Sequence, residues 1–381
     1  MIFRAKAPLR LGLAGGGTDV SPYSDSYGGC VLNVTIDLYA YCTIETLEDD
    51  SPVEFNARDL EKSFSAPCAP AYRIDDGVLT LHKAVYNRVV RDFNGGVPLP
   101  VRVTTFSDAP PGSGLGSSST MVVAMLAAYR EMLQLPLGEY DLAHLAYEIE
   151  RVDCALSGGK QDQYATTFGG FNFIEFSGDD KVVVNPLRIR RHIENELQAS
   201  LALYFTGVSR DSMTIIDDQV RTVQSHDTRA ASLAAMHEVK RLAFEMKERL
   251  LKGDIGGVIG LFRESWEAKK QMSSKISNSH IEKLAETAMA AGARAVKISG
   301  AGGGGFMMVF VEPEHRLDIE AALRPFQGYF QRFQFTPSGA ESWRAYDGSD
   351  IAVTGRNPLA NRPWRARTSS PSTSSADQCL I

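Results

Sequence analysis

The order of strand-like and helical segments predicts an α+β protein with two domains. Strand patterns dominate the first part of the chain, a helical block runs from about 211 to 291, and two strand patterns follow it. A single doubly wound sheet would instead alternate strands and helices throughout. The length of 381 residues also exceeds what one hydrophobic core usually supports. We predict domains at 1–170 and 171–350, followed by a disordered tail at 356–381, which is rich in serine, proline and arginine.

The strands are predicted from alternation and from β-branched and aromatic residues. Residues 2–13 alternate, and residues 31–45 (VLNVTIDLYAYCTIE) are rich in both residue types. Residues 99–111 predict a strand that enters a turn, and residues 168–187 predict further strand structure. Near the end of the globular part, RAVKIS and FMMVFV predict strands on either side of a glycine-rich loop.

The helices are predicted from apolar residues spaced three and four apart. In 141–152 such residues form one stripe, made of Leu142, Leu145, Ala146 and Ile149. In the long helical block, Ser279 and Glu282 predict a capping box. Gly292 is a suitable residue to follow the end of that helix.

Composition and charge are typical of a cytoplasmic globular protein. The net charge of −6 disfavours a nucleic-acid partner, and no apolar run is long enough to cross a membrane. The N-terminus lacks the uninterrupted apolar segment of a signal peptide. The five cysteines show neither C-x-x-C pairs nor zinc-like spacing, so we expect reduced thiols. An anion would therefore have to be bound by local donors.

The stretch PPGSGLGSSST (110–120) places three glycines and three serines directly before an apolar run that predicts a buried helix. Glycine adopts positive φ at little cost, so the backbone N–H groups can turn inward together. Free N–H groups and the dipole at a helix N-terminus favour an anion. The stretch therefore predicts a phosphate site, with an ordinary capped loop as the alternative. It is not a Walker A loop, because no lysine follows the last glycine.

A second glycine-rich loop, KISGAGGGGF (297–306), contains G-x-G-x-x-G at Gly300, Gly302 and Gly305. In a dinucleotide-binding fold this motif opens a helix, but here a strand pattern follows. The loop instead predicts a close approach to another group, such as the first glycine cradle and its nucleotide.

Two further stretches carry charged residues beside glycines. In KAPLRLGLAGGGTD (6–19), Asp19 could accept from two sugar hydroxyls or could simply cap a turn, and Arg10 could support a transferring phosphoryl group. In 147–171, Asp162 could orient or deprotonate an attacking hydroxyl. Glu150 could hold Mg²⁺ with nucleotide phosphates, or could belong to a solvated helix face.

Together these stretches resemble the three motifs of the GHMP kinase superfamily, in the family's order and spanning about residues 2–347. The resemblance implies an N-terminal domain like domain 2 of ribosomal protein S5, a ferredoxin-like C-terminal domain, and ATP between them. It implies that Asp162 is the catalytic aspartate with Arg10 beside it, and that Ser118 and Glu150 hold Mg²⁺. The implied ATP-binding residues are Pro111, Gly112, Ser113, Gly114, Leu115, Gly116, Ser117, Ser118, Ser119, Gly302 and Gly303.

Within the superfamily, GGGTDVSPYSDSYGGCVLN and GARAVKISGAGGGGF most resemble the D-glycero-D-manno-heptose 7-phosphate kinases. That likeness implies phosphorylation of the anomeric hydroxyl to give the 1,7-bisphosphate, on the way to a GDP-activated sugar of surface polysaccharide. The implied sugar-binding residues are Gly16, Gly17, Thr18 and Asp19. A phosphorylated sugar also needs cations, for which WEAKKQMSSKIS (266–277) offers Lys269 and Lys270, although such lysines are often only solvated.

Three alternatives accompany this interpretation. An L-fucokinase would use the same anomeric chemistry, and a non-catalytic nucleotide or sugar sensor would use the same fold. A dinucleotide-dependent oxidoreductase is disfavoured by the strand pattern after GAGGGG. The oligomeric state is left open between a monomer and a homodimer.

Overall fold

The computed structural model describes residues 1–209, 212–224 and 229–346. Twelve strands form two sheets in this part of the chain. The strands are β1 (Ile2–Ala14), β2 (Gly29–Thr46), β3 (Val53–Ala57), β4 (Lys62–Ala66), β5 (Val101–Ser107), β6 (Phe171–Phe176), β7 (Val182–Pro186), β8 (Leu201–Phe205), β9 (Ala295–Ile298), β10 (Phe306–Phe310), β11 (Tyr329–Gln331) and β12 (Glu341–Ala345).

The helices mostly lie between these strands. They are α1 (Tyr23–Tyr27), α2 (Thr80–Phe93), α3 (Ser117–Leu133), α4 (Glu139–Glu148), α5 (Gln161–Phe168), α6 (Arg191–Ser200), α7 (Ser212–Gln224), α8 (Arg229–Lys252), α9 (Ile255–Lys270), α10 (Ser279–Ala290) and α11 (Arg316–Leu323). No described helix is long and apolar enough to span a bilayer.

The first sheet has eight strands, with the path β12-β1-β2-β5-β3-β4 and with β6 and β7 attached through β2. Its pairs are antiparallel except β3 and β5, which run parallel. The long strand β2 pairs with β6 through its first residues and with β5 through its last. In the second half of β2, residues 38–45 alternate between buried and less buried, as expected where one face of a sheet covers a core. The buried helix α3 belongs to that core.

The second sheet is antiparallel, with the order β11-β8-β10-β9. Strand β10 is buried along its whole length because apolar side chains cover both of its faces. One of these two cores also contains residues of β1 and β2, so apolar packing joins the two sheets.

The predicted strands and helices are confirmed, with two corrections at helix ends. The N-cap of α10 is Asn278 rather than Ser279: its side chain accepts from the N–H groups of His280 and Ile281, as asparagine at this position commonly does. The predicted Ser279–Glu282 capping box is therefore wrong. The helix predicted over 141–152 is α-helical only to Glu148, the last residue of α4. The chain then continues as a π-helical turn over Ile149–Asp153. Gly292 follows α10 with φ of +105°, as predicted.

The predicted domain limits at 170 and 350 stay predictions. Strands β6, β7 and β12 follow residue 170 in sequence but pair within the first sheet. The predicted tail at 356–381 lies outside the described residues.

Candidate active site

A cavity of about 600 Å³ brings the four charged and glycine-rich stretches together. The first stretch contributes Arg10, Gly17 and Asp19, and the start of α5 contributes Gln161 and Asp162. From the glycine cradle come Pro111, Gly112, Ser113, Gly114, Gly116, Ser117, Ser118 and Ser119. From the C-terminal half come Ser209, Met213, Ile216, Gln219, Lys269, Gly300 and Ala301.

The glycine cradle has the backbone that its sequence predicts. Gly112, Gly114 and Gly116 have φ of +71°, +77° and +80°, which favours glycine at each position. Helix α3 begins at Ser117 with no acidic residue in its first turn, so its N–H groups and dipole are available to an anion. Leu115 is fully buried, and its carbonyl accepts from the Arg10 N–H at 3.1 Å. The result is a rigid helix end with an open loop before it.

The second glycine loop lies directly against this cradle. A Cβ on Gly300 would come within 2.6 Å of the Gly114 oxygen, and a Cβ on Gly114 would come within 2.5 Å of the Ser299 oxygen. The predicted close approach is confirmed. Strand β10 begins immediately after Gly305, so no helix follows the motif and the dinucleotide-binding alternative is wrong.

Gly302 and Gly303 lie on the side of this loop that contacts residues 276–278. The Gly303 N–H donates to the Ile276 oxygen at 2.7 Å, and the Asn278 amide donates to the Gly303 oxygen. Gly300 and Ala301 are the residues of this loop that line the cavity in the described structure.

A buried arginine connects the cradle to the predicted catalytic aspartate. Arg10 is 3% exposed, and its Nε and Nη2 lie 2.7 and 2.6 Å from Asp162 Oδ1. Its Nη1 donates to the Gly114 oxygen at 2.6 Å and lies 3.5 Å from Ser299 Oγ. Asp162 Oδ2 lies beside Gly116, where a Cβ would approach it to 3.2 Å. Arg10 therefore fixes one oxygen of Asp162 and leaves the other beside the cradle.

Asp19 is a second, fully enclosed carboxylate of the cavity. Its Oδ1 accepts from the Gly17 N–H, and its Oδ2 accepts from the Gln161 N–H at the start of α5. Burial raises the pKa of Asp19, and the neighbouring charge of Asp162 adds to the rise. Asp19 therefore ties the glycine turn to the helix that carries Asp162.

Thr18 has a structural place in the same turn. Its buried hydroxyl donates to the Gly15 and Cys30 oxygens and accepts from the Cys30 N–H. Gly16 lies against the cavity's lysine, since a Cβ there would be 3.4 Å from Lys269 Nζ.

The two predicted cations lie in different surroundings. Lys269 lines the cavity, is buried, and donates to the Gly300 oxygen at 2.5 Å. Burial lowers the pKa of Lys269 to about 8, opposed by the charges of Asp19 and Asp162. Lys270 instead lies 2.9 Å from Glu267 and 3.5 Å from Glu282.

The predicted metal ligands lie near the start of α3. Glu150 is fully buried: Gln163 Nε2 donates to its Oε2 and also to Ser119 Oγ, while Glu150 Oε1 has no hydrogen-bond partner in the described structure. Glu150 is connected to Ser119, in the first turn of α3, through Gln163, but it is not among the residues that line the cavity in the described structure. An orphaned carboxylate oxygen is nevertheless suited to a Mg²⁺ ion, which typically takes one or two carboxylates together with substrate phosphates. Among the described residues no cluster of three or more His, Cys, Asp or Glu could hold a metal unaided.

Comparison with known proteins agrees with this geometry. Residues 80–170 match the GHMP kinases N terminal domain, and residues 246–328 match the GHMP kinases C terminal domain. The chain is 47% identical over 341 residues to the D-glycero-alpha-D-manno-heptose 7-phosphate kinase of Campylobacter jejuni, which covers 90% of this chain and 98% of that protein. The chain belongs to the GHMP kinase family. The predicted two-domain GHMP kinase fold is confirmed.

Two further similar proteins differ in how much they share with this GHMP kinase. The crystal structure of a D-glycero-D-manno-heptose 1-phosphate kinase from Bacteroides thetaiotaomicron has a TM-score of 0.76 and 46% identity, covering 91% of this chain and all of that one. The bifunctional fucokinase/GDP-fucose pyrophosphorylase of Arabidopsis thaliana is 25% identical and covers 81% of this chain but 30% of that protein.

One lobe of this GHMP kinase's cavity is absent from the sequence predictions. Apolar residues and glycine contribute seven of its lining residues, namely Ala57, Leu60, Gly77, Leu79, Leu81, Ala109 and Met121. Polar or charged residues contribute six, namely Asp59, Lys62, Thr80, His82, Thr105 and Ser107. His82 is buried, which lowers its pKa to about 4, and its Nε2 lies 2.8 Å from Thr105 Oγ1. Five of these residues fall within 77–82, and the others are scattered along the chain. None carries a recognised sequence motif, and the unusual φ of +49° at Leu79 is seen only in the structure.

Proposed function

We propose that this protein is an ATP-dependent kinase of D-glycero-D-manno-heptose 7-phosphate that phosphorylates the anomeric hydroxyl to give the 1,7-bisphosphate. The observation that carries the proposal is the contact of Arg10 with Asp162, which holds a carboxylate between an anion cradle and a charged pocket. The high identity to a heptose 7-phosphate kinase supports this choice of acceptor over fucose. The product would enter the synthesis of a GDP-activated heptose for surface polysaccharide.

ATP binds with its phosphates in the cradle in this proposal. The glycines of the cradle have positive φ, and the N-terminus of α3 would stabilise the negative charge of the phosphates. The lobe around Leu79 and His82 is left for the nucleoside, since its walls combine apolar residues with polar side chains. Pre-organised N–H groups matter most here, because phosphoryl transfer asks chiefly for positioning and charge balance.

Glu150 and the Ser118 hydroxyl would hold Mg²⁺ with oxygens of the nucleotide. The ion would neutralise charge that develops on the phosphates during transfer. Gln163 fixes Glu150 by donating to Oε2, which leaves Oε1 as the coordinating oxygen.

Asp162 orients the anomeric hydroxyl and accepts its proton. Because both Arg10 contacts fall on Oδ1, the free Oδ2 is the oxygen that meets the hydroxyl. An anomeric hydroxyl is more acidic than an ordinary alcohol, so a modest base suffices. The Arg10 guanidinium can also balance negative charge on the transferring group.

Lys269 supplies the cation that a phosphorylated acceptor requires. It is buried beside Asp19 and Asp162 and lines the same cavity. Lys270 is occupied by two glutamates, so we assign the acceptor phosphate to Lys269 alone. These substrates are metabolites of the cytoplasm, where we place the enzyme.

ADP release with ATP and Mg²⁺ tests the proposal across a panel of acceptors. The panel contains D-glycero-D-manno-heptose 7-phosphate, sedoheptulose 7-phosphate, mannose 6-phosphate, L-fucose and galactose, with Asp162→Asn protein as the matched blank. We expect turnover with the aldoheptose phosphate. Turnover with fucose and not with phosphorylated sugars would show that the acceptor is fucose rather than the heptose phosphate. ATP binding without any release of ADP would indicate a non-catalytic sensor.

A further inference from the structure

We propose that Gln161 and Gln219 determine acceptor specificity by hydrogen-bonding hydroxyl groups of the sugar. This inference rests on the proposed sugar kinase function and adds two side chains to the acceptor end of the cavity. Neither glutamine is among the site residues predicted from the sequence, and both line the cavity.

Both side chains carry a buried polar atom without a partner. Gln219, on α7, is 4% exposed, and its Nε2 finds no hydrogen-bond partner within the described residues. Gln161 is the first residue of α5, and its Oε1 is also buried without a hydrogen-bond partner within the described residues. An unpartnered buried polar group costs roughly 1–3 kcal/mol, so such groups are uncommon in the absence of a ligand.

The two amides flank the same glycine turn. A Cβ on Gly17 would lie 3.5 Å from Gln219 Oε1, and a Cβ on Gly16 would lie 3.7 Å from Gln161 Nε2. The same position on Gly16 would be 3.4 Å from Lys269 Nζ. Both amides therefore lie beside the turn, and Gln161 shares its neighbour Gly16 with the lysine assigned to the acceptor. Gln161 also directly precedes Asp162 in the chain, and both residues line the cavity.

The chemistry of the two free atoms suits a polyol. Gln161 Oε1 can only accept a hydrogen bond and Gln219 Nε2 can only donate one. A sugar hydroxyl does both, so adjacent hydroxyls of one acceptor satisfy the two amides together. An apolar acceptor would leave both unpaired at full desolvation cost.

Neither glutamine is needed to position its own helix. Asp217 and Asp218 attach α7 to the hydroxyls of Ser157 and Ser273. In α5, Gln163 performs the structural role, bonding Ser119 and Glu150 with its amide. The amides at 161 and 219 are thus free for a ligand.

The test is steady-state kinetics of Gln161→Leu and Gln219→Leu with the heptose 7-phosphate, alongside thermal unfolding. Leucine keeps most of the volume and removes the polar atoms. Each substitution should raise the acceptor KM about 3- to 10-fold, the range of one lost neutral hydrogen bond, while the KM for ATP stays unchanged. The Tm should not fall, because an orphaned polar group has been removed. Gln224→Leu, an exposed position of the same helix, is the matched control.

Wild-type turnover with an unchanged acceptor KM in both variants would overturn this inference and leave the proposed function intact. An equal rise in the KM for ATP together with a lower Tm would also overturn it, since that pattern indicates a structural role. If the wild-type protein phosphorylates no acceptor, the proposed function fails and this inference fails with it.

Discussion

The two ends of the cavity are built in opposite ways. The end that we assign to the ATP phosphates comes from one contiguous stretch, 110–120, and depends largely on glycine backbone with positive φ. The end that we assign to the acceptor comes from four distant elements and is made of side chains, namely Asp19, Gln161, Gln219 and Lys269. A site made of backbone is disturbed by substitutions that alter backbone conformation, whereas a site made of side chains is disturbed by substitutions that remove a charge or a hydrogen-bonding group. Substitutions at the two ends should therefore fail in different ways.

Arg10 is the residue that joins the two ends. It contacts the Gly114 oxygen at the cradle and the Asp162 carboxylate at the point of transfer. Arg10 and Asp162 therefore lie where the two ends of the cavity meet, and we expect the largest effect on activity from a substitution there.

Asp162→Asn should lower kcat by about 10²–10⁴-fold, the range usual for a group that accepts a proton or orients a nucleophile. ATP binding should remain nearly intact, because the cradle does not use this side chain as a ligand. Nucleotide titration and kcat measured on the same preparation separate the two quantities. A loss of ATP affinity equal to the loss of kcat would mean that Asp162 holds the structure together.

Gly114→Ala tests the backbone end, with Gly96→Ala as its control. Both glycines have φ of +77°, but a Cβ at Gly96 meets open space, whereas one at Gly114 meets the Ser299 oxygen at 2.5 Å. The shared φ should cost about 1–2 kcal/mol in each variant. The overlap at Gly114 should add about 1–3 kcal/mol and weaken nucleotide binding. Equal unfolding free energies in denaturant would contradict the close approach of the two glycine loops.

Lys269→Met tests the acceptor end, and Lys270→Met is the neighbouring control. The first should raise the KM for the phosphorylated acceptor about tenfold, as expected for loss of one charge-assisted hydrogen bond. The second should change little, because partly exposed ion pairs contribute about 0–1 kcal/mol. If the two substitutions changed the acceptor KM by similar factors, the assignment of Lys269 to the acceptor phosphate would be wrong.

The pH profile sharpens the same assignment. Lys269 is charged below its pKa of about 8 and neutral above it. The kcat/KM for the phosphorylated acceptor should therefore fall as pH rises through 8, and Lys269→Met should abolish that limb. Stability should move the other way. The folded-state pKa of Lys269 lies below the ordinary lysine value of 10.5, so the unfolded chain binds more protons between pH 8 and 10.5. The contribution of Lys269 to stability therefore rises with pH in that range.

The same contrast explains what the sequence could predict. The cradle was predictable because its residues are contiguous and because glycine has a specific conformational use. Gln161 and Gln219 escaped prediction because a lone glutamine has no characteristic spacing, and only the fold brings the two together. The sequence alone does not distinguish Lys269 from Lys270, because the two lysines are adjacent. Successive residues on an α-helix point about 100° apart, so one reaches the cavity and the other reaches the glutamates.

The measurement that tests the central claim most directly is phosphorus NMR of the product formed from D-glycero-D-manno-heptose 7-phosphate, ATP and Mg²⁺. A sugar held with its own phosphate at Lys269 and its anomeric hydroxyl at Asp162 must acquire the new phosphate at C1. The account predicts one product with resonances for phosphates at C1 and C7. A new phosphate at any other carbon, or ADP formed without a phosphorylated sugar, would contradict it.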